Sequence, residues 1–165
     1  MTNLIRILGI DPGLRHTGWG IIETRGNKLG HLASGVISPK TAMPLSQRLQ
    51  AIFAELGQLI SQHKPDCAAI EGSFVSVNAG SAMKLGHARA AAMLAASNCG
   101  LEVAEYSPRT VKQALVGTGG ADKAQVAAMV AMLLPGTNAV TDEADALSLA
   151  ICHAHHAPSH LRASA

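Results

Sequence analysis

Aromatic residues are nearly missing from this chain of 165 residues, which has one Trp, one Tyr and two Phe. Ala, Leu, Ile and Val must therefore build the core, and the length suffices for one domain with a sizeable one. Cysteine is sparse too. Cys67, Cys99 and Cys152 stand far apart and are odd in number, which argues for reduced core thiols of a cytosolic protein and against a disulfide framework. No apolar run is long enough to span a bilayer, and Arg6 and Asp11 interrupt the first apolar stretch. Neither a membrane partner nor a signal peptide is expected, and the expected location is cytoplasmic. Strong charge of either sign is also lacking: the formal net charge is +2. That permits a nucleic-acid partner where basic residues cluster, without demanding one.

What is present begins at Ile5, Ile7, Leu8 and Ile10, a short apolar run of strand type that ends in Asp11. Pro12 and Gly13 stop the strand. Thr17 to Thr24 and Lys28 to Ser38 read as two more strands of an antiparallel meander. Pro44 to His63 repeats apolar residues at helical spacing, and Lys64-Pro-Asp66 ends it. Cys67 to Gly72 is entered from a helix and reads as a buried parallel strand. Like the first strand, it ends in an acid, here Glu71. A polar loop from Phe74 to Gly80 leads to an alanine-rich helix, Ser81 to Asn98. A fifth strand (Leu101 to Tyr106) follows, then helices at Pro108 to Val116, Asp122 to Leu134 and Thr141 to about His155. The order βββαβαβααα predicts one α/β domain over residues 1–155, a five-stranded mixed sheet flanked by helices. Residues 156–165 are expected to be a flexible tail.

A carboxylate at the mouth of a buried strand is costly unless it is solvated, hydrogen-bonded or bound to a cation. Asp11 alone is equally well a turn aspartate bonding its own backbone. If the two acid-ended strands are parallel neighbours, however, Asp11 and Glu71 meet at one sheet edge. Asp142 and Asp145 are three apart, on one face of the last helix. Capping and the helix dipole account for one or two acids in a first turn. They account less well for Asp145 beside an almost wholly apolar helix body. Four converging acids repel unless cations neutralise them. Oxygen-only ligands favour Mg²⁺ or Mn²⁺ over zinc, and two such ions about 3.5–4 Å apart support phosphodiester cleavage. Cys152, His153, His155 and His156 crowd one helix end without a second ligand cluster, so no zinc is expected.

Five ordered blocks carry a family resemblance: Gly9-Ile-Asp-Pro-Gly with Thr17-Gly-Trp-Gly20; Ile70-Glu71 with Phe74; Asn78 through Ser81, Lys84, Gly86 and Ala88 to Arg89; Tyr106-x-Pro108 through Lys112 and Lys123 to Val126; and Asp142-x-Ala-Asp145-Ala-Leu. In these the chain closely resembles the RuvC family of bacterial Holliday junction resolvases. The resemblance implies a ribonuclease-H-like catalytic domain and a metal-dependent endodeoxyribonuclease that nicks opposed strands of four-way junction DNA. It implies Asp11, Glu71, Asp142 and Asp145 as catalytic metal ligands, with Mg²⁺ (two ions, Mn²⁺ substituting) as cofactor. It also implies a homodimer working with the branch-migration proteins RuvA and RuvB. Gly72 and Ala90 depart from the family pattern, where a polar residue and a glycine are usual.

The basic residues Lys84, Arg89, Lys112 and Lys123 are expected to face DNA. Lys112 and Lys123 flank a glycine-rich turn where backbone N–H groups at a helix start suit phosphate. Phe74, three residues beyond Glu71, either anchors its loop to the core or stacks on an unpaired base. The alanine-rich helix is apolar on more than one face, so a second copy is expected against it, with Ala91 and Ala95 at the contact. Two rival readings differ in class. One is a junction-binding adaptor without turnover; the presence of all four acids argues against it, and a nicking assay with Mg²⁺ would separate the two. The other is an actin-like ATPase, which needs two such domains and a longer chain.

Overall fold

The computed structural model describes residues 3–72, 78–139 and 141–156. Five strands and five helices follow in the expected order: β1 (Ile5–Asp11), β2 (Thr17–Arg25), β3 (Lys28–Ile37), α1 (Leu45–His63), β4 (Cys67–Glu71), α2 (Ala79–Asn98), β5 (Glu102–Tyr106), α3 (Pro108–Val116), α4 (Lys123–Leu133) and α5 (Asp142–His156). The helix ends follow local chemistry. Pro44 precedes α1, and Lys64 closes it in a left-handed conformation (φ 50°) before Pro65. Helix α2 starts two residues before the expected Ser81, because the Asn78 side chain accepts a hydrogen bond from the Ser81 N–H and thus caps the chain at Ala79. Asp122 and Gln125 form a reciprocal capping box on α4. Helix α5 runs one residue past the expected end, through His156; the rest of the expected tail lies outside the described residues.

The sheet order is β3-β2-β1-β4-β5. The first three strands are an antiparallel meander, and β4 joins β1 in parallel. Alternation along the strands assigns the two faces. Leu8, Ile10, Ile21, Ala68 and Ile70 pack under α1 and α2. Ile7, Ile22, Cys67 and Ala69 pack under α3, α4 and α5. Asp11 has the parity of Ile7 and Gly9, and Glu71 that of Cys67 and Ala69. Both carboxylates therefore project toward the α5 face.

Helix α5 is buried along nearly its whole length, from Ala144 to His153 with Asp145 excepted, as expected for a helix apolar all round. It reaches the sheet because three positions of β1 and β2 beneath it are glycine. A Cβ added at Gly9 would fall 1.9 Å from the Ala146 carbonyl oxygen, and one at Gly18 would fall 2.1 Å from that of Asp142. At Gly20 it would meet the Leu147 side chain at 2.5 Å. These three glycines form a backbone floor on which the helix lies.

Candidate active site

Four residues stand side by side across the sheet at the mouth of this floor. Gly18 of β2 pairs with Asp11 of β1. Glu71 of β4 follows the Ile10–Ile70 pair by one residue and itself pairs with Tyr106 of β5. The row Gly18–Asp11–Glu71–Tyr106 thus brings together two acids that are sixty residues apart in sequence. The turn after Asp11 is pinned by the buried Thr17, whose hydroxyl donates to the Gly13 carbonyl at 2.8 Å and accepts from the Gly13 N–H at 3.2 Å. Arg48 of α1 donates to the Leu14 carbonyl at 2.7 Å.

Helix α5 supplies the other two acids. Asp142 sits on Gly18. Glu143 accepts a hydrogen bond from the Ser34 hydroxyl at 3.1 Å, tethering the first turn to β3. Thr141, just before the helix, has φ 34°, a left-handed conformation that is uncommon for a β-branched residue. Its carbonyl accepts from the Asp145 N–H at 2.9 Å and so starts the helix.

A cleft of about 300 Å³ is lined by Asp11 and Glu71 from the sheet, Asp145 and Ser148 from α5, Lys112 from α3 and Lys123 from α4. Lys123 Nζ lies 3.1 Å from Asp145 Oδ2. The site's charges act on one another. Burial, then the charges of Asp145, Glu71 and Asp142, push the Asp11 carboxyl up to about 7, with Lys123 opposing. Burial and Asp145 raise Glu71, while Lys123, Arg89 and Lys112 oppose. The bond to Asp145 raises Lys123. Asp142 stands outside the cleft lining and acts on Asp11 through its charge.

The expected residues divide accordingly. Asp11, Glu71, Asp145, Lys112 and Lys123 share the cleft, and Asp142 adjoins it. Lys84 is exposed on α2. Arg89 is turned to the far side of β4, where its Nε donates to the Glu71 carbonyl at 2.8 Å and its Nη2 pairs with Glu105. Phe74 lies outside the described residues. Residue-by-residue reading missed Glu143 and Ser148 as supports of α5; Ser148 donates to the Asp145 carbonyl at 2.6 Å. The only available signal was a polar residue within an otherwise apolar helix.

The donor set suits a hard divalent cation: it is all oxygen, it is partly buried, and burial and neighbouring acids disfavour the ionised forms of Asp11 and Glu71. Among the described residues no three His, Cys, Asp or Glu side chains close on a single point, so the fit is one of donor chemistry and charge.

Residues 7–153 match the family model for RuvC, crossover junction endodeoxyribonuclease. The crossover junction endodeoxyribonuclease RuvC of Maricaulis maris is 63% identical over 152 residues, covering 92% of each chain. That of Hyphomonas neptunium is 51% identical and covers 100% of this chain and 99% of its own. The structure of T. thermophilus RuvC in complex with Holliday junction substrate superposes with a TM-score of 0.88 at 33% identity, covering 95% of this chain and 97% of that one.

Proposed function

Because the chain belongs to the RuvC family of crossover junction endodeoxyribonucleases, we propose that it resolves four-way DNA junctions by hydrolysing phosphodiester bonds on opposed strands, in recombination and repair. The observation that carries the reading is the cleft itself. Asp11 and Glu71 face Asp145 across a sheet edge, and two lysines stand within the same walls.

Asp11, Glu71, Asp142 and Asp145 would hold the divalent metal that this nuclease family uses, in our reading Mg²⁺, with two ions per site and Mn²⁺ able to replace it. A bound ion supplies charge stabilisation at the scissile phosphate and acidifies the attacking water. The protein's own part is electrostatic and positional. Partial burial and the neighbouring acids hold the Asp11 carboxyl up at about 7, and a bound cation would offset that repulsion. Lys112 offsets charge on the phosphate from the α3 side. Lys123, already tied to Asp145, contributes from α4. Lys84 supplies backbone phosphate contact at the exposed start of α2, and Phe74 meets an unpaired base. With water attacking phosphorus and the 3′ oxygen leaving, the products would be a 5′ phosphate and a 3′ hydroxyl, the ligatable ends that the family resemblance implies.

The described residues of one chain form one such cluster of acids, so symmetric nicking requires two copies related by a twofold axis. A cytoplasmic homodimer acting with RuvA and RuvB completes the proposal. No described helix is long and apolar enough to cross a membrane. The deciding experiment is a synthetic four-way junction incubated with the protein in Mg²⁺ and scored for paired nicks. Symmetric nicks that vanish in EDTA are expected. Binding without any nick, in Mg²⁺ or Mn²⁺, would instead identify a junction adaptor.

A further inference from the structure

Arg89 was expected at the DNA, yet the structure spends its donors elsewhere. It reaches from α2 to the end of β4 on the sheet face opposite the carboxylates. Its Nε donates to the Glu71 carbonyl at 2.8 Å, and its Nη2 pairs with the Glu105 carboxylate. Glu105 stands on β5 opposite Ile70, one residue before the Glu71–Tyr106 pair. A single planar fork therefore joins three elements at the last residue of β4. Its side chain is only 22% exposed, and it lines a small cavity with Asp11, Pro12, Glu71 and Leu85.

The neighbouring backbone is held just as closely. The Gly72 N–H donates to the Tyr106 carbonyl at 2.7 Å. A Cβ at Gly72 would lie 3.1 Å from the Glu105 Cβ and 3.3 Å from the Tyr106 nitrogen. A small residue after Glu71 thus lets Glu105 stay under Arg89. The Glu71 carbonyl and carboxylate share one Cα. A change in the peptide plane at Glu71 would swing its side chain in the cleft.

We propose that Arg89 is a positioning residue: its clamp on the Glu71 carbonyl and on Glu105 fixes the direction in which the Glu71 carboxylate enters the cleft. Lysine cannot replace it, because one ammonium lacks the paired, coplanar donors needed to hold carbonyl and carboxylate together. The reaction affected is the one proposed above, and the inference rests on that reading for its activity arm only.

The test compares wild type with Arg89→Lys, Arg89→Ala and Glu105→Gln. Disturbing a supporting partner of a metal ligand typically costs about 10–100-fold in metal affinity or activity. Mn²⁺ affinity, read by electron paramagnetic resonance without DNA, should fall by about tenfold in both Arg89 variants and by less in Glu105→Gln. Cleavage at saturating junction should fall in parallel, while junction affinity in EDTA and its salt dependence stay as in wild type. Glu105→Gln alters a half-exposed carboxylate and keeps the test available if Arg89→Ala does not fold. Unchanged Mn²⁺ affinity in the folded variants would overturn the inference. So would weakened junction binding in EDTA with a salt slope lower by about one unit and unchanged cleavage at saturation, the mark of a phosphate contact. If wild type does not cut but its variants lose Mn²⁺ affinity, the clamp stands and the nuclease reading falls. If wild type cuts and the variants cut equally well, only the clamp falls.

Discussion

Gly18 lies directly beneath Asp142, and the Asp142 carbonyl oxygen would be 2.1 Å from any Cβ placed there. Gly18 is also the cross-strand partner of Asp11. One missing side chain therefore sets how far the acids of α5 stand from the acids of the sheet. Gly18→Ala should push the start of α5 outward, costing roughly 1–3 kcal/mol as an overpacked core position does. Cleavage should fall further than this loss predicts, with junction binding retained. Urea denaturation, gel shift and nicking on the same preparation check this. Wild-type cleavage by the variant would show that α5 tolerates displacement.

Asp142→Asn removes a carboxylate that acts on Asp11 while leaving the lysines in place. Cleavage should be abolished, and junction binding should hold or strengthen as negative charge is lost. Wild-type turnover by this variant in Mg²⁺ would contradict the four-carboxylate site.

The Asp11 carboxyl sits at about 7 in the folded chain, against 3.8 for the free group. Between those values the native state keeps a proton that the unfolded state has released. Metal-free stability should therefore fall as pH rises from about 4 to 7, and level off above. Asp11→Asn should flatten that fall and exceed wild type at pH 8 in EDTA by about 2–4 kcal/mol. A divalent cation should restore wild type and not the variant. Urea midpoints at pH 5 and pH 8 measure both effects, and parallel curves for the two proteins would contradict the assignment.

Lys112 lines the same cleft as Asp11, Glu71 and Asp145. Lys112→Ala should slow cleavage or weaken junction binding, and lower the salt slope by at most roughly one unit. A binding titration over a series of salt concentrations decides it. Unchanged slope and rate together would move Lys112 off the DNA path.

The expected dimer contact needs correcting. Ala91 is 9% exposed and Ala95 1%, because both pack inward with α1 and the sheet. Ala91→Glu would damage the fold and report nothing about assembly. The outward stripe of α2 carries Met83, Ala90 and Leu94, seven and four residues apart on one helix face. Met83 is 66% exposed and Leu94 61%. Leu94→Glu should yield a folded monomer by sedimentation and turn paired nicks into single, independent ones. A dimer that survives Leu94→Glu and Met83→Glu together would place the contact elsewhere.

Local spacing determined much of this protein. Short apolar runs predicted β1 and β4, the second as a parallel strand because a helix leads into it, and each ends in an acid. A helical repeat placed α1, alanine content placed α2, and proline and glycine signals helped to bound the later helices within a few residues, while the three-residue step between Asp142 and Asp145 put both at the same helix start. Such features depend on neighbours within a few positions, so the sequence displays them. Tertiary structure alone decided the rest. Glycines at 9, 18 and 20 let α5 settle on bare backbone, which brings its acids to Asp11. Which side of α2 faces inward was hidden, because alanine is equally at home buried or exposed, and only the fit against α1 chose. The partners of Arg89 were hidden for a further reason. Glu71 and Glu105 are eighteen and sixteen residues away from it in sequence, and a guanidinium that reads as a phosphate ligand in the sequence is drawn to whichever acceptors the folded chain brings within its reach.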